Sequence, residues 1–176
     1  VCSSDLRALR KVANEEADHY SQGLDVVDAL DSMHDHFGVL EAVSGMDAAT
    51  LAAFVRFRMD FIREEIKEFH GAESPEDRVD ALVDLSVVAL GTLQALGVDV
   101  RRAWSEVHMA NMKKEVGQNQ SRKNAFGLPD LVKPDGWTAP DHSGNVGRFS
   151  EAHYVLALED DHFDPKKFEE NLDDAE

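Results

Sequence analysis

LAAFVRFRMDFIREEIKEFHGAESPEDRVDALVDLSVVALGTLQALG, residues 51–97, holds two long apolar stretches of helical spacing joined by a Gly-Ala-Glu-Ser-Pro break. At 100° per residue the first stretch puts Leu51, Phe54, Val55, Phe57, Phe61, Ile62, Ile66 and Phe69 on one arc. Arg56, Asp60, Arg63 and Lys67 take the opposite face. Asp47 is placed to cap this helix, which runs to about His70 with Gly71 at its end. Ser74 caps the next helix, with Pro75 in its first position and acids in its first turn, and that helix ends near Gly97. No stretch of the chain alternates apolar and polar residues with β-branched enrichment, so the class is all-α.

The carboxylates of this stretch fall on the wrong side. Glu65 lies in the middle of the apolar arc, Glu68 at its edge and Glu64 slightly further round. Between Val79 and Val98 the only charged residues are Asp80 and Asp84, one turn apart on a face shared with Val87, Val88 and Gly91. The helix dipole favours Asp80 in the first turns, but Asp84 sits a full turn further in. A carboxylate turned to the core costs several kcal/mol unless it is paired, hydrogen-bonded or metal-bound. A solvated charged face is the ordinary reading of EExxE on a helix, and a salt bridge to Arg58, also on the arc, is a second. One arginine does not balance four inward acids. Two facing helices that each present two acids make the oxygen-rich pocket that Mg²⁺ or Mn²⁺ selects. The expectation is therefore a pair of buried acidic clusters binding divalent metal.

Outward from this stretch, an amphipathic helix is expected from about Val26 to Phe37, after the Ser21-Gln22-Gly23 break. Asp99 caps a fourth helix that runs to about Glu115 and stops at Gly117. The result is a four-helix core over 26–117, preceded by a polar segment, 1–25. Within that segment VCSSDL, residues 1–6, spells the translated end of a sequencing adapter, so Cys2, Ser3 and Ser4 carry no functional argument. Asn/Gly turns, Pro129, Pro134, Pro140 and the KPDGW turn at 133–137 make 118–150 an irregular C-terminal extension, loop or extended, packing on the domain. Residues 151–176 hold two basic against ten acidic residues and read as a solvated acidic tail, with room for a short helix.

A net charge of −17 argues against a protein that grips nucleic acid through its phosphates. The longest uncharged run, Leu85 to Val98, is fourteen residues, too short for a bilayer span. No stretch resembles a secretory signal, and the single cysteine forms no internal disulfide, so a cytoplasmic location without membrane contact is expected.

Glu64-Glu65-Ile66-Lys67-Glu68 followed by Asp84, with Asn111-Met112-Lys113-Lys114 on the fourth helix, is similar to the pattern of the all-α NTP pyrophosphatase superfamily. That superfamily includes MazG, the dimeric dUTPases and phosphoribosyl-ATP pyrophosphohydrolase. The resemblance spans roughly 26–140 and departs at Ala81, where the family's ExxD has its first acid; Asp80 is the nearest replacement. It implies a MazG-like fold in which Glu65, Glu68 and Asp84 hold Mg²⁺ or Mn²⁺, with Asp80 as a further ligand. Glu64 would be another ligand or would orient the attacking water.

The implied reaction is hydrolysis of a (d)NTP to a nucleoside monophosphate and pyrophosphate. Asn111 and Lys114, three residues apart on one face, are candidates for phosphate or sugar contact, or Lys114 simply complements its helix dipole. Lys133, Arg122 and Lys123 are loop candidates for the triphosphate, against a plain solvated surface. His34, His36 and Phe37 lie on the helix against which related enzymes place the base, with core packing the expected role of Phe37. Trp137 either stacks on a base or packs on the bundle, packing being expected. A homodimer or homotetramer is implied. Two other readings stand beside this one: phosphoribosyl-ATP hydrolysis, and an acidic interaction module such as a DNA mimic, in which the acids would be exposed along an elongated face.

Overall fold

A computed structural model describes residues 25–118 and 130–160. Six helices and one small ribbon follow in order: α1 Val26–Phe37, α2 Val39–Ser44, α3 Ala48–Gly71, α4 Pro75–Ala95, α5 Val100–Met112, β1 Glu115–Gly117, β2 Asp130–Val132 and α6 Phe149–Asp160. The caps expected from sequence are formed. The Asp47 side chain accepts from Thr50 N at 2.8 Å and that of Asp99 from Arg102 N at 2.9 Å. Ser74 and Asp77 make a reciprocal capping box, Asp77 N to Ser74 Oγ at 3.0 Å and Ser74 N to Asp77 Oδ2 at 3.1 Å, with Pro75 directly behind. Asp25 caps α1 through Val27 N and Asp28 N.

α3 and α4 form an antiparallel hairpin that is the spine of the fold, and α1, α2 and α6 pack around one end of it. The core joins Val43 of α2, Leu51, Ala52 and Val55 of α3, Ala95 and Leu96 at the end of α4, and Ala152 of α6, with Phe54, Phe149, Val155 and Leu156 against them. On α3 every buried residue lies in the first third of the helix. Beyond that, the hairpin leaves Phe57, Val79, Leu82 and Val83 more than half exposed.

Between the first two long helices, residues 39–44 form the short helix α2, entered through Gly38 at φ 66°. Two expectations are corrected. The fourth helix ends at Met112, and 115–117 pair antiparallel with 130–132 in the register Glu115↔Val132, so a two-stranded ribbon interrupts the all-helical segment. Such a short ribbon lacks the length that makes alternation legible. The start of the expected solvated acidic tail is the packed helix α6, whose Ala152 is fully buried and whose Phe149, Val155 and Leu156 pack against the core. The polar segment up to residue 24 and the chain beyond residue 160 lie outside the described residues, as do Arg122 and Lys123.

Arg148 ties α6 to α2. Its guanidinium donates to the carbonyls of Val43 at 2.5 Å and Met46 at 2.6 Å and pairs with Glu151 at 2.7 Å, so it supplies donors to the C-terminal end of α2. Gly147, at φ 51°, lets the chain pass against the end of α4, where Arg148 N donates to Leu96 O at 2.7 Å.

Candidate active site

The five acids singled out by sequence gather where α3 and α4 run side by side, beyond the covered end of the hairpin. Their burial differs from expectation: Glu64, Glu68, Asp80 and Asp84 are exposed and Glu65 is half-buried. The wheel placed them on the core face, but along this part of the hairpin no described element lies over that face, so in a single chain it opens to solvent.

Glu65 is the exception in burial. Its Oε2 is shut off from solvent and has no hydrogen-bond partner. Burial holds its pKa above the ordinary glutamate value, and the charges of Glu68, Asp84, Glu64 and Asp80 push the same way. Four carboxylates from two helices thus act on a fifth, and nothing among the described residues compensates its buried oxygen. Arg58 does not: its guanidinium donates to Thr92 Oγ1 at 2.9 Å and to Val88 O at 3.1 Å. Among the described residues no three His, Cys, Asp or Glu side chains stand close enough together to form a finished metal cage. The donors are nonetheless all hard oxygens, and an orphaned carboxylate oxygen amid like charges is the group a divalent cation would satisfy. Hard oxygen donors are the kind that Mg²⁺ and Mn²⁺ take.

His34 is 3 % exposed and sits within the junction of α1, α3 and α4, not at an open surface. Gly91 makes room for it, since a Cβ there would lie 3.2 Å from His34 Nε2 and 3.4 Å from Arg58 Nη2. Burial lowers the His34 pKa, and the Arg58 charge lowers it further, so the imidazole is held neutral. His36 and Phe37 stack edge to face at 4.7 Å, and Phe37 is 71 % exposed, which corrects the expectation that it packs in the core. It lies at the very end of α1, past the last residue that the core covers.

At the C-terminal end of α5 the structure brings together Asn111, Lys114, Lys133 and Trp137. Trp137 Nε1 donates to Ala110 O at 2.8 Å, docking the KPDGW turn on the helix end. Lys133 Nζ lies 4.5 Å and Lys114 Nζ 5.8 Å from the centre of the indole ring. Trp137 therefore packs on the bundle, as expected, and holds two ammonium groups beside it. A groove of about 440 Å³ lies elsewhere: Leu90, Leu93, Trp104, Val107, Val146 and Phe149 line it, and none of the candidate site residues does.

With this geometry in place, comparison with known families bears on residues 30–111, which match the family model for phosphoribosyl-ATP pyrophosphohydrolase. Residues 30–111 belong to the all-α NTP pyrophosphatase superfamily. The pyrophosphatase segment runs from Leu30 in α1 to Asn111 in α5, and so contains all five acids, His34 and Arg58. It is the catalytic fold of a hydrolase acting on acid anhydrides, which places the acids in an enzyme and not in a purely charge-based binding module. Lys114, Lys133, Trp137 and α6 lie beyond the pyrophosphatase match. No curated protein and no solved structure matches the chain. No single helix among the described residues is long and apolar enough to cross a membrane.

Proposed function

We propose that this pyrophosphohydrolase is Mg²⁺- or Mn²⁺-dependent and cleaves a nucleoside triphosphate, a (d)NTP, to a nucleoside monophosphate and pyrophosphate. The observation that carries the reading is the buried, unpartnered Oε2 of Glu65 set among four further carboxylates. Glu65, Glu68, Asp80 and Asp84 would hold the cation. When bound, such a cation neutralises phosphate oxygens and makes water a better nucleophile at neutral pH. Glu64, exposed beside Glu65, is the free carboxylate that orients the attacking water and accepts its proton. Asn111, Lys114 and Lys133 are the phosphate and sugar contacts, and the pair of ammonium groups beside Trp137 offsets charge on the departing pyrophosphate. His34, buried and neutral, acts toward the nucleotide by fixing α1 on the hairpin. The exposed Val79, Leu82 and Val83 next to Asp80 and Asp84 suit a homodimer or homotetramer in which a second copy covers the α4 face.

Phosphoribosyl-ATP is the second reading of the substrate, favoured by the family match. The test is pyrophosphate release from the eight (d)NTPs and from phosphoribosyl-ATP, with Mg²⁺ or with EDTA, for wild type and Glu65→Gln, alongside the mass by light scattering. Metal-dependent release that Glu65→Gln abolishes is expected, from an oligomer. Turnover in EDTA, or in Glu65→Gln at saturating Mg²⁺, would overturn the metal site; selective release from phosphoribosyl-ATP would replace the (d)NTP assignment.

A further inference from the structure

Phe57 and Phe61 form a tilted pair on α3, ring centres 4.4 Å apart, immediately N-terminal to the acids. On a helix Phe57, Phe61, Glu64 and Glu68 are successive i, i+4 and i, i+3 neighbours, so the rings and the carboxylates share one ladder of side chains. Phe57 is 53 % exposed, whereas aromatic side chains of this size ordinarily bury most of their surface. The inner ring is fixed from behind. The Arg58 guanidinium stands 5.7 Å from the centre of Phe61 and is itself anchored by Thr92 and the Val88 carbonyl, an approach that Gly91 permits by having no Cβ. The result is a braced aromatic face, open to solvent on the Phe57 side, with Glu64 about two helical turns, some 11 Å, further along α3.

We infer that the Phe57–Phe61 pair is the platform on which the nucleobase of the substrate stacks while its phosphates lie over the acids of α3 and α4. The inference rests on the pyrophosphohydrolase reading above and adds the residues that grip the base. One ribose separates phosphate from base, a span that the two-turn spacing accommodates. Every base has a π face, so this contact supplies affinity without choosing among bases. Choice must then come from edge contacts elsewhere, and a broad substrate range at Phe57 is part of the expectation.

The experiment compares Phe57→Ala and Phe57→Trp in the full chain at saturating Mg²⁺, with the (d)NTPs and phosphoribosyl-ATP as substrates. Inorganic tripolyphosphate, which has phosphates but no base, serves as the competing inhibitor. Phe57→Ala is expected to raise KM about ten-fold for the best substrate at nearly unchanged kcat, and Phe57→Trp to restore it. Tripolyphosphate inhibition, the melting temperature and the molecular mass should hold steady in both variants. An unchanged KM, an equal loss of tripolyphosphate affinity, or a tryptophan variant no better than alanine would overturn the platform. So would a fall in mass, because it would make the rings a subunit contact. The parent reading fails on a different result, turnover surviving in Glu65→Gln, and the KM ratio at Phe57 still decides stacking in that case.

Discussion

Glu65 is where folding and chemistry pull apart. An acid whose pKa is raised in the native state binds its proton more tightly there than in the unfolded chain, so stability falls as pH climbs from the unfolded value, 4.5, through the folded one. Above the folded value the full penalty is present; below 4.5 both states are protonated and the penalty vanishes. Glu65→Gln removes the charge and keeps the shape. In EDTA it should melt above wild type at pH 7.5, and the gap should shrink as pH is lowered toward 4.5. With Mg²⁺ at a hundred times its dissociation constant, wild type should gain about 2.7 kcal/mol, and the glutamine variant much less. A wild-type melting point that matches Glu65→Gln in EDTA at every pH would mean that Glu65 is a solvated carboxylate. The position of Glu65 on the apolar arc was legible in the sequence, because helical period alone sets it. The exposure of its four neighbours was not, since a wheel shows which way a side chain points and not whether anything stands opposite.

At the scale of elements, the helix starts were the most readable feature, because each depends on a few adjacent residues: Asp47, Ser74 with Asp77, and Asp99 all cap where their spacing puts them. The packing of helix α6 on the core and the ribbon were not readable, because their partners lie far away in the chain. Phe149 packs on residues near position 50, and β1 finds β2 thirteen or more residues later. The aromatic pair at Phe57 and Phe61 was assigned to the core for the same reason that the acids were. Gly147 shows what a long-range contact demands of a single residue. A Cβ there would stand 2.2 Å from Leu96 O, on backbone atoms that cannot swing aside, at a φ that L side chains rarely adopt. Gly147→Ala should cost about 2–4 kcal/mol in chemical denaturation, a range set by combined backbone strain and overlap. Gly144→Ala, also at positive φ but with open space around its Cβ position, should cost less. Equal losses at the two positions would show that conformational strain alone, and not the Leu96 contact, makes Gly147 necessary.

For the whole molecule, the segment that matches the pyrophosphohydrolase family and the segment that completes the core are not the same. Residues 30–111 carry the acids, yet Phe149, Ala152, Val155 and Leu156 fill the covered end of the α3/α4 hairpin from outside that range. Full burial of a Phe, Val or Leu side chain is worth about 1.5–3 kcal/mol, so even the partial burial of Phe149, Val155 and Leu156 is a sizeable fraction of the 5–15 kcal/mol by which a whole domain is stable. Ala152, with no exposed surface, is the position at which this can be probed without shortening the chain. Ala152→Asp would place a charge with no partner against Leu51 and Val55, a cost that a marginal domain does not absorb. The full-length variant should lose its cooperative thermal transition, and pyrophosphate release should go with it, although every acid of the hairpin is intact. Ala152→Ser, small and able to bond back to its own helix, should remain folded and active. If Ala152→Asp melted within a few degrees of wild type and kept its turnover, α6 would be an accessory laid on a hairpin that already folds alone, and the catalytic domain would end where the family match ends.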